Sequence, residues 1–376
     1  MPKFHPFEIE RLMARWEHEV DYNLTESGVH PVPLRELLPD SCALQELLAM
    51  ELGYPQTNGS LPLRRNIAAL HPDASPDNIL VTVGAIEANG ITLEAMFEPG
   101  DEIAFMLPNY MQISGMAKNL GMKVNNFHLR EEAGSWRLDE DELRSAVTPN
   151  TKLIAVTNPN NPTGHILRDK EIAALINEAE RVGAWILTDE VYSGTERLTD
   201  IQTPSLWGRY DKVLAIGSLS KAYGLPGLRT GWVVAPTEAI HEIWQRHDYA
   251  TIAGAKLASH LATVALSPDL RPKLIERTRR LVREGYPLVD NWLCEQSDFF
   301  GRSESEAGAF AFVKCHADPG VERFIHQLRE AQSVLLVPGT HFGVDGYIRL
   351  STGLESRHLA AGLERIARFV RNSSSN

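Results

Sequence analysis

Lys221 stands in the run Ser218-Leu219-Ser220-Lys221-Ala222-Tyr223-Gly224-Leu225-Pro226-Gly227-Leu228-Arg229. A lysine amine condenses with an aldehyde to form an imine. Two hydroxyls and a downstream guanidinium supply the hydrogen bonds and charge that a phosphate needs. Pyridoxal phosphate carries an aldehyde and a phosphate on one small molecule, so this segment could hold both ends of it. An isolated Ser-x-Ser-Lys carries little weight, because short motifs arise often by chance. The surrounding elements supply the rest.

A strand-like stretch, residues 212–216, leads into the lysine run. Two other apolar stretches end in the same way. Residues 153–156 run into Asn158-Pro159-Asn160-Asn161-Pro162-Thr163-Gly164, where the prolines and the glycine enforce a tight, non-helical loop. Residues 184–188 end in Asp189-Glu190-Val191-Tyr192. A turn accounts for the first of these runs alone, and a helix cap for Asp189 alone. Neither accounts for Asn161, Asp189 and Lys221 each following its own apolar strand. In parallel α/β sheets ligands bind beyond the carboxyl ends of the strands, where all three residues would lie. A further strand, residues 78–83, ends at Gly84-Ala85-Ile86 and opens a helical pattern through Phe97. Helix N-terminal N–H groups bind phosphate, and glycine permits close approach.

In this order the motifs resemble the class I/II aminotransferases, the fold-type I family of pyridoxal-phosphate enzymes. Ser-x-Ser-Lys, then Gly-x-Arg-x-Gly with an aromatic, matches without a gap at residues 218–232, and the resemblance covers nearly the whole chain. It implies an α/β fold: a large domain with a mainly parallel sheet between helices, plus a small α+β domain. It implies pyridoxal 5'-phosphate as cofactor, with Lys221 as its imine lysine and Gly84, Ala85, Ile86, Ser218, Ser220 and Arg229 around the phosphate. Asn161 and Tyr192 would face the phenolic oxygen. Asp189 would pair with the ring nitrogen and keep it protonated, which improves the ring as an electron sink. Tyr110 would stack on the ring, and Arg349 would clamp a substrate α-carboxylate. Tyr54 would reach the phosphate of a neighbouring subunit, so a homodimer with shared sites is expected.

The amino-terminal part resembles one branch of the family, the capreomycidine synthase group, which acts on arginine derivatives. The resemblance rests on Ser27-Gly28-Val29-His30, the wording of residues 220–229, and Val337-Pro338-Gly339-Thr340-His341-Phe342-Gly343. It implies substrate contacts at Gly28, His30 and an acid on the first helix, with Glu10 at the matching distance and Glu8 and Glu17 as alternatives. A helix rich in Glu and Arg is also what a solvated face looks like. An imidazole titrates near neutrality and could move protons, or His30 could be a loop residue before Pro31.

Composition agrees. A chain of 376 residues exceeds one usual hydrophobic core, and 43% hydrophobic residues suit globular domains. We expect a large domain over residues 45–270 and a small one from 1–44 with 271–376. A formal charge of −12 argues against nucleic acid and acidic membranes as partners. No apolar run has the length of a membrane span, and no signal-peptide pattern opens the chain. Cys42, Cys294 and Cys315 lack metal-site spacing and read as reduced, buried thiols, so a cytoplasmic enzyme without a metal is expected. Transamination of an L-α-amino acid is the leading expectation. The same cofactor residues would also serve elimination and ring closure, or oxidation, of a guanidino amino acid. A cofactor-sensing regulator on this fold would need a DNA-binding module, for which an acidic chain is poorly suited.

Overall fold

The computed structural model describes residues 4–38 and 40–373. The apolar stretches assemble into one eight-stranded sheet. Its order is Ile79–Thr82, Gly231–Val234, Val213–Ser218, Trp185–Asp189, Thr151–Thr157, Glu102–Leu107, Lys123–Glu132, Ser135–Leu138. The five strands from Val213–Ser218 to Lys123–Glu132 run parallel. Gly231–Val234 is antiparallel to both its neighbours, and Ser135–Leu138 closes the other edge as the second arm of a hairpin. The expected α/β architecture with a mainly parallel sheet is therefore present.

Alternation along these strands builds two cores. Ala104, Met106, Ile154, Val156, Ile186 and Ala215 pack on one face. Ile103, Phe105, Leu153, Ala155, Leu187 and Ile216 pack on the other. Successive strand side chains point to opposite faces, and helices cover both, so these strands are apolar throughout rather than alternating with polar residues. The Asp169–Val182 helix buries Ile172, Leu175 and Ala179 and ends at Gly183, whose φ of 69° suits a left-handed stop. Glu171 reaches back to the Arg168 N–H at 2.7 Å and satisfies one of the helix's free donors.

The carboxyl-terminal part has its own antiparallel sheet of Phe310–Lys314, Tyr347–Ser351 and Val337–Pro338. It packs with the helices Arg271–Glu295, Val321–Gln332 and Ser356–Ser373. The apolar run 334–337 is divided between two sheets: Val334–Leu335 pairs in parallel with Tyr22–Asn23, while Val337–Pro338 joins the antiparallel sheet. That pairing ties the amino-terminal segment to this domain, with the Leu24 carbonyl accepting from the Ser351 N–H at 2.9 Å. Ile9, Val32 and Leu37 of the same segment pack into the larger core. Residues 4–38 thus bridge the two parts of the molecule.

The cysteines depart from expectation. Cys315 is buried, and burial pushes its thiol up to about 12. Cys42 and Cys294 are exposed, because each sits on a solvent-facing side of its helix. Among the described residues no helix is long and apolar enough to cross a membrane, and no cluster of His, Cys, Asp or Glu could hold a metal ion.

Candidate active site

Beyond the carboxyl ends of the parallel strands lies a cavity of about 610 Å³. Lys221, Asp189, Asn161, Tyr192, Tyr110 and Arg349 all line it, as do Ala85, Ile86, Ser218, Ser220 and Arg229.

One end of the cavity suits a phosphate. The Gly84–Met96 helix opens at Gly84, whose φ is +77° and where a Cβ would lie 2.6 Å from Arg229 Nη2. The Arg229 guanidinium therefore packs against the first turn of that helix. Arg229 itself has a left-handed φ of 48°, a costly conformation for a residue with a Cβ, which points to local constraint. Gly231 brings the neighbouring strand equally close: a Cβ there would sit 2.4 Å from the Gly84 carbonyl carbon. A helix N-terminus, a guanidinium and the Ser218 and Ser220 hydroxyls form a set of donors that matches a phosphate dianion.

The centre of the cavity suits a cationic ring. Asp189 is 7% exposed. Burial raises its pKa, against the hydrogen bonds from Asn89 and the Val191 N–H and the charge of Lys221. A buried carboxylate with too little positive charge around it gains from a cation placed beside it. Tyr192 is buried edge-on to Phe310, with centroids 5.3 Å apart. Tyr110 donates to Glu10 Oε1 at 2.6 Å and meets the edge of Phe7. Burial, and then the nearby Glu10 carboxylate, pushes the Tyr110 phenol well above its usual range.

The far end suits a carboxylate. Arg349 is 2% exposed, with its guanidinium 4.8 Å from the centre of the Phe342 ring. Nη1 donates to Asn161 Oδ1 at 2.8 Å and Nη2 to the Thr25 carbonyl at 2.6 Å, while the buried Nε has no partner. Lys221 Nζ donates to Ser27 Oγ at 2.9 Å. The orphaned Arg349 donor, the Gly84–Arg229 cradle and the under-compensated Asp189 together fit pyridoxal phosphate and an amino-acid carboxylate.

Not every residue singled out in the sequence comes to this cavity. Gly28 lies beside it, since a Cβ there would be 3.8 Å from Lys221 Cδ. The exposed His30 is not among the lining residues; its carbonyl accepts from Arg277 and its N–H donates to Gly353. Tyr54 is 92% exposed and does not line this chain's cavity. Glu10 does line it, and so does Glu26, which the sequence reading passed over. Also missed were Asn89 and Gln112. The available signal was a polar amide on an otherwise apolar helix, beside Ala88, Ile91 and Leu93.

The family model for aminotransferase class I and II matches residues 39–366. The chain belongs to that family. Capreomycidine synthase of Streptomyces vinaceus is 30% identical over 356 residues, covering 92% of this chain and 88% of that protein. A PLP-dependent aminotransferase from Streptococcus suis superposes with a TM-score of 0.91 at 32% identity, over 98% of both chains. The PLP-dependent cyclase OrfR superposes with a TM-score of 0.88 at 27% identity, over 99% of this chain and 98% of its own. Membership of the aminotransferase class I and II family makes the protein a pyridoxal-phosphate enzyme of fold type I.

Proposed function

We propose that the enzyme transfers the amino group of an L-α-amino acid to a keto acid. The observation that carries this is a single cavity in which a lysine amine, a buried carboxylate and a buried arginine with a free donor face one another. Pyridoxal phosphate supplies there an aldehyde that takes up an amino group and a ring that withdraws electrons from it. Arg349 binds the substrate carboxylate, and Asn161, held by Arg349, is oriented in the same act. That fixes which Cα bond faces Lys221, and Lys221 Nζ removes the Cα proton as general base. Asp189 keeps positive charge on the ring nitrogen while negative charge develops. Ser27 holds the lysine amine on the cavity side when it is not bonded to the cofactor. The test is a screen of the holoenzyme against single amino acids, alone and with added keto acids, following the visible spectrum and product masses. At most one equivalent of keto acid per site without acceptor, and many turnovers with it, supports transfer; a cyclised product, or more than one equivalent of oxidised product without acceptor, removes it.

A second reading is cyclisation, elimination or oxidation of a guanidino amino acid. It is favoured by Glu10 and Glu26 in the cavity wall and by the likeness to capreomycidine synthase and OrfR. A carboxylate pairs well with a guanidinium fork. Under this reading Glu10→Gln raises KM for arginine-type substrates by about 2–5 kcal/mol of lost pairing and spares neutral ones. Equal effects on both, measured by steady-state kinetics, leave the first reading in place.

The protein is further proposed to be a cytoplasmic homodimer. The free thiols suit a reducing compartment. Tyr54 at 92% exposure, with Leu48 at 70% and Leu52 at 78%, makes an apolar surface that a second copy would cover.

A further inference from the structure

Asn89 and Gln112 form an amide pair that no step above uses. Asn89 Nδ2 donates to Asp189 Oδ2 and to Gln112 Oε1, both at 3.1 Å. The orientation of both amides is determined. Gln112 Nε2 donates to the Ile86 carbonyl, so its oxygen faces Asn89. Asn89 must then present its nitrogen, because its oxygen would oppose both an amide oxygen and a carboxylate. Asn89 is 1% exposed, Gln112 5% and Asp189 7%. The Asn89 oxygen is itself buried without a partner. A buried unpartnered carbonyl oxygen costs stability, so the side chain is held there for its donor, which serves the Asp189 carboxylate.

The pair joins the elements that grip the cofactor. Asn89 and Ile86 lie on the helix that carries the phosphate end, Gln112 begins the helix just after Tyr110, and Asp189 ends its strand. Without Asn89, one Asp189 oxygen loses its side-chain donor, and only the Val191 N–H, at 3.2 Å on the other oxygen, remains. We propose that Asn89, set by Gln112, is a positioning residue that keeps the Asp189 carboxylate charged and aimed at the cofactor's ring nitrogen. This rests on the family assignment and on Asp189 facing that nitrogen.

The experiment compares two probes on cofactor-free protein: pyridoxal phosphate and its deaza analogue, which has carbon in place of the ring nitrogen. Binding is followed by fluorescence quenching, and melting is measured without cofactor. For Asn89→Leu, affinity for pyridoxal phosphate is expected to fall by roughly tenfold or more, the scale of one hydrogen bond to a charged group. Affinity for the deaza analogue should not fall, because it gains nothing from a charged carboxylate. The melting temperature should fall modestly, because two buried oxygens lose their donor, while the selective loss of one probe is what a packing defect would not produce. Equal weakening of both probes means a packing role and overturns the proposal, as does no weakening of either. Should Asn89→Leu fail to fold, Gln112→Met decides the matter by the same comparison, with a smaller loss confined to pyridoxal phosphate expected. Asp189→Asn serves as the control for the underlying assignment. If it too leaves the two probes undistinguished, the reading of Asp189 fails, whereas a selective loss in Asp189→Asn without one in Asn89→Leu overturns this proposal alone.

Discussion

At the scale of single residues, two side chains carry the chemistry and give direct tests. Lys221 projects into the cavity with its amine on Ser27 Oγ. Borohydride reduction of the holoenzyme should therefore fix the cofactor on Lys221, found as one labelled peptide by mass spectrometry. Label on another lysine would remove Lys221 from its role. Asp189 is surrounded by too little positive charge for its burial. Asp189→Asn keeps the shape but turns one acceptor oxygen into an amide donor and loses the charge that holds the ring proton. Turnover should drop by roughly 10²–10³-fold, the usual scale for one electrostatic contributor in a water-poor site. Near-normal turnover with cofactor bound would exclude the assigned role.

At the scale of elements, the phosphate end depends on how closely one strand approaches one helix. Gly231 meets Gly84 and Ala85 backbone-to-backbone, and a Cβ would lie 2.4 Å from the Gly84 carbonyl carbon and 2.5 Å from the Ala85 nitrogen. Backbone cannot rotate away as a side-chain tip can. Gly231→Ala should push the helix terminus outward at a cost of about 1–3 kcal/mol. Cofactor should then be lost on gel filtration more readily than from the wild type, with the sheet's circular dichroism preserved. Retention of cofactor at wild-type affinity would show that the strand does not set the cradle. The Thr25 to Gly28 segment is the second such element. It supplies the Thr25 carbonyl to Arg349 and the Ser27 hydroxyl to Lys221. Carboxylate clamp and lysine are thus both positioned by one stretch that pairs, through Tyr22–Asn23, with the strand Val334–Leu335 of the carboxyl-terminal part.

At the scale of the molecule, the exposed Tyr54 gives the oligomer prediction. Lys221→Ala and Tyr54→Phe subunits should each be impaired alone. A mixed dimer would hold one site with both defects and one with neither. Unfolding-free subunit exchange should thus restore about a quarter of wild-type turnover at random pairing. Activity that stays absent after verified exchange would place Tyr54 outside the partner's site. Equilibrium sedimentation gives the oligomeric state independently.

The sequence by itself determined the parts that depend on local order along the chain. Strand, loop and polar residue recur in register at Asn161, Asp189 and Lys221, because a parallel sheet requires alternating elements and leaves its strand ends open. The Asp169–Val182 helix is likewise local in origin, since an apolar stripe at helical spacing, Ile172, Leu175 and Ala179, marks it. The division of residues 334–337 between two sheets was not legible, because four consecutive apolar residues carry no mark of which partner each will pair with. Nor was the placement of Glu10 on the Tyr110 hydroxyl, or of His30 away from the cavity. Contacts between residues 100 positions apart depend on where the amino-terminal segment crosses the eight-stranded sheet's end of the molecule. The Asn89–Gln112–Asp189 chain belongs to the same class. Each amide by itself is an ordinary polar residue on a helix, and only the tertiary packing of two helices against one strand end joins them to each other, to the Ile86 carbonyl and to the carboxylate.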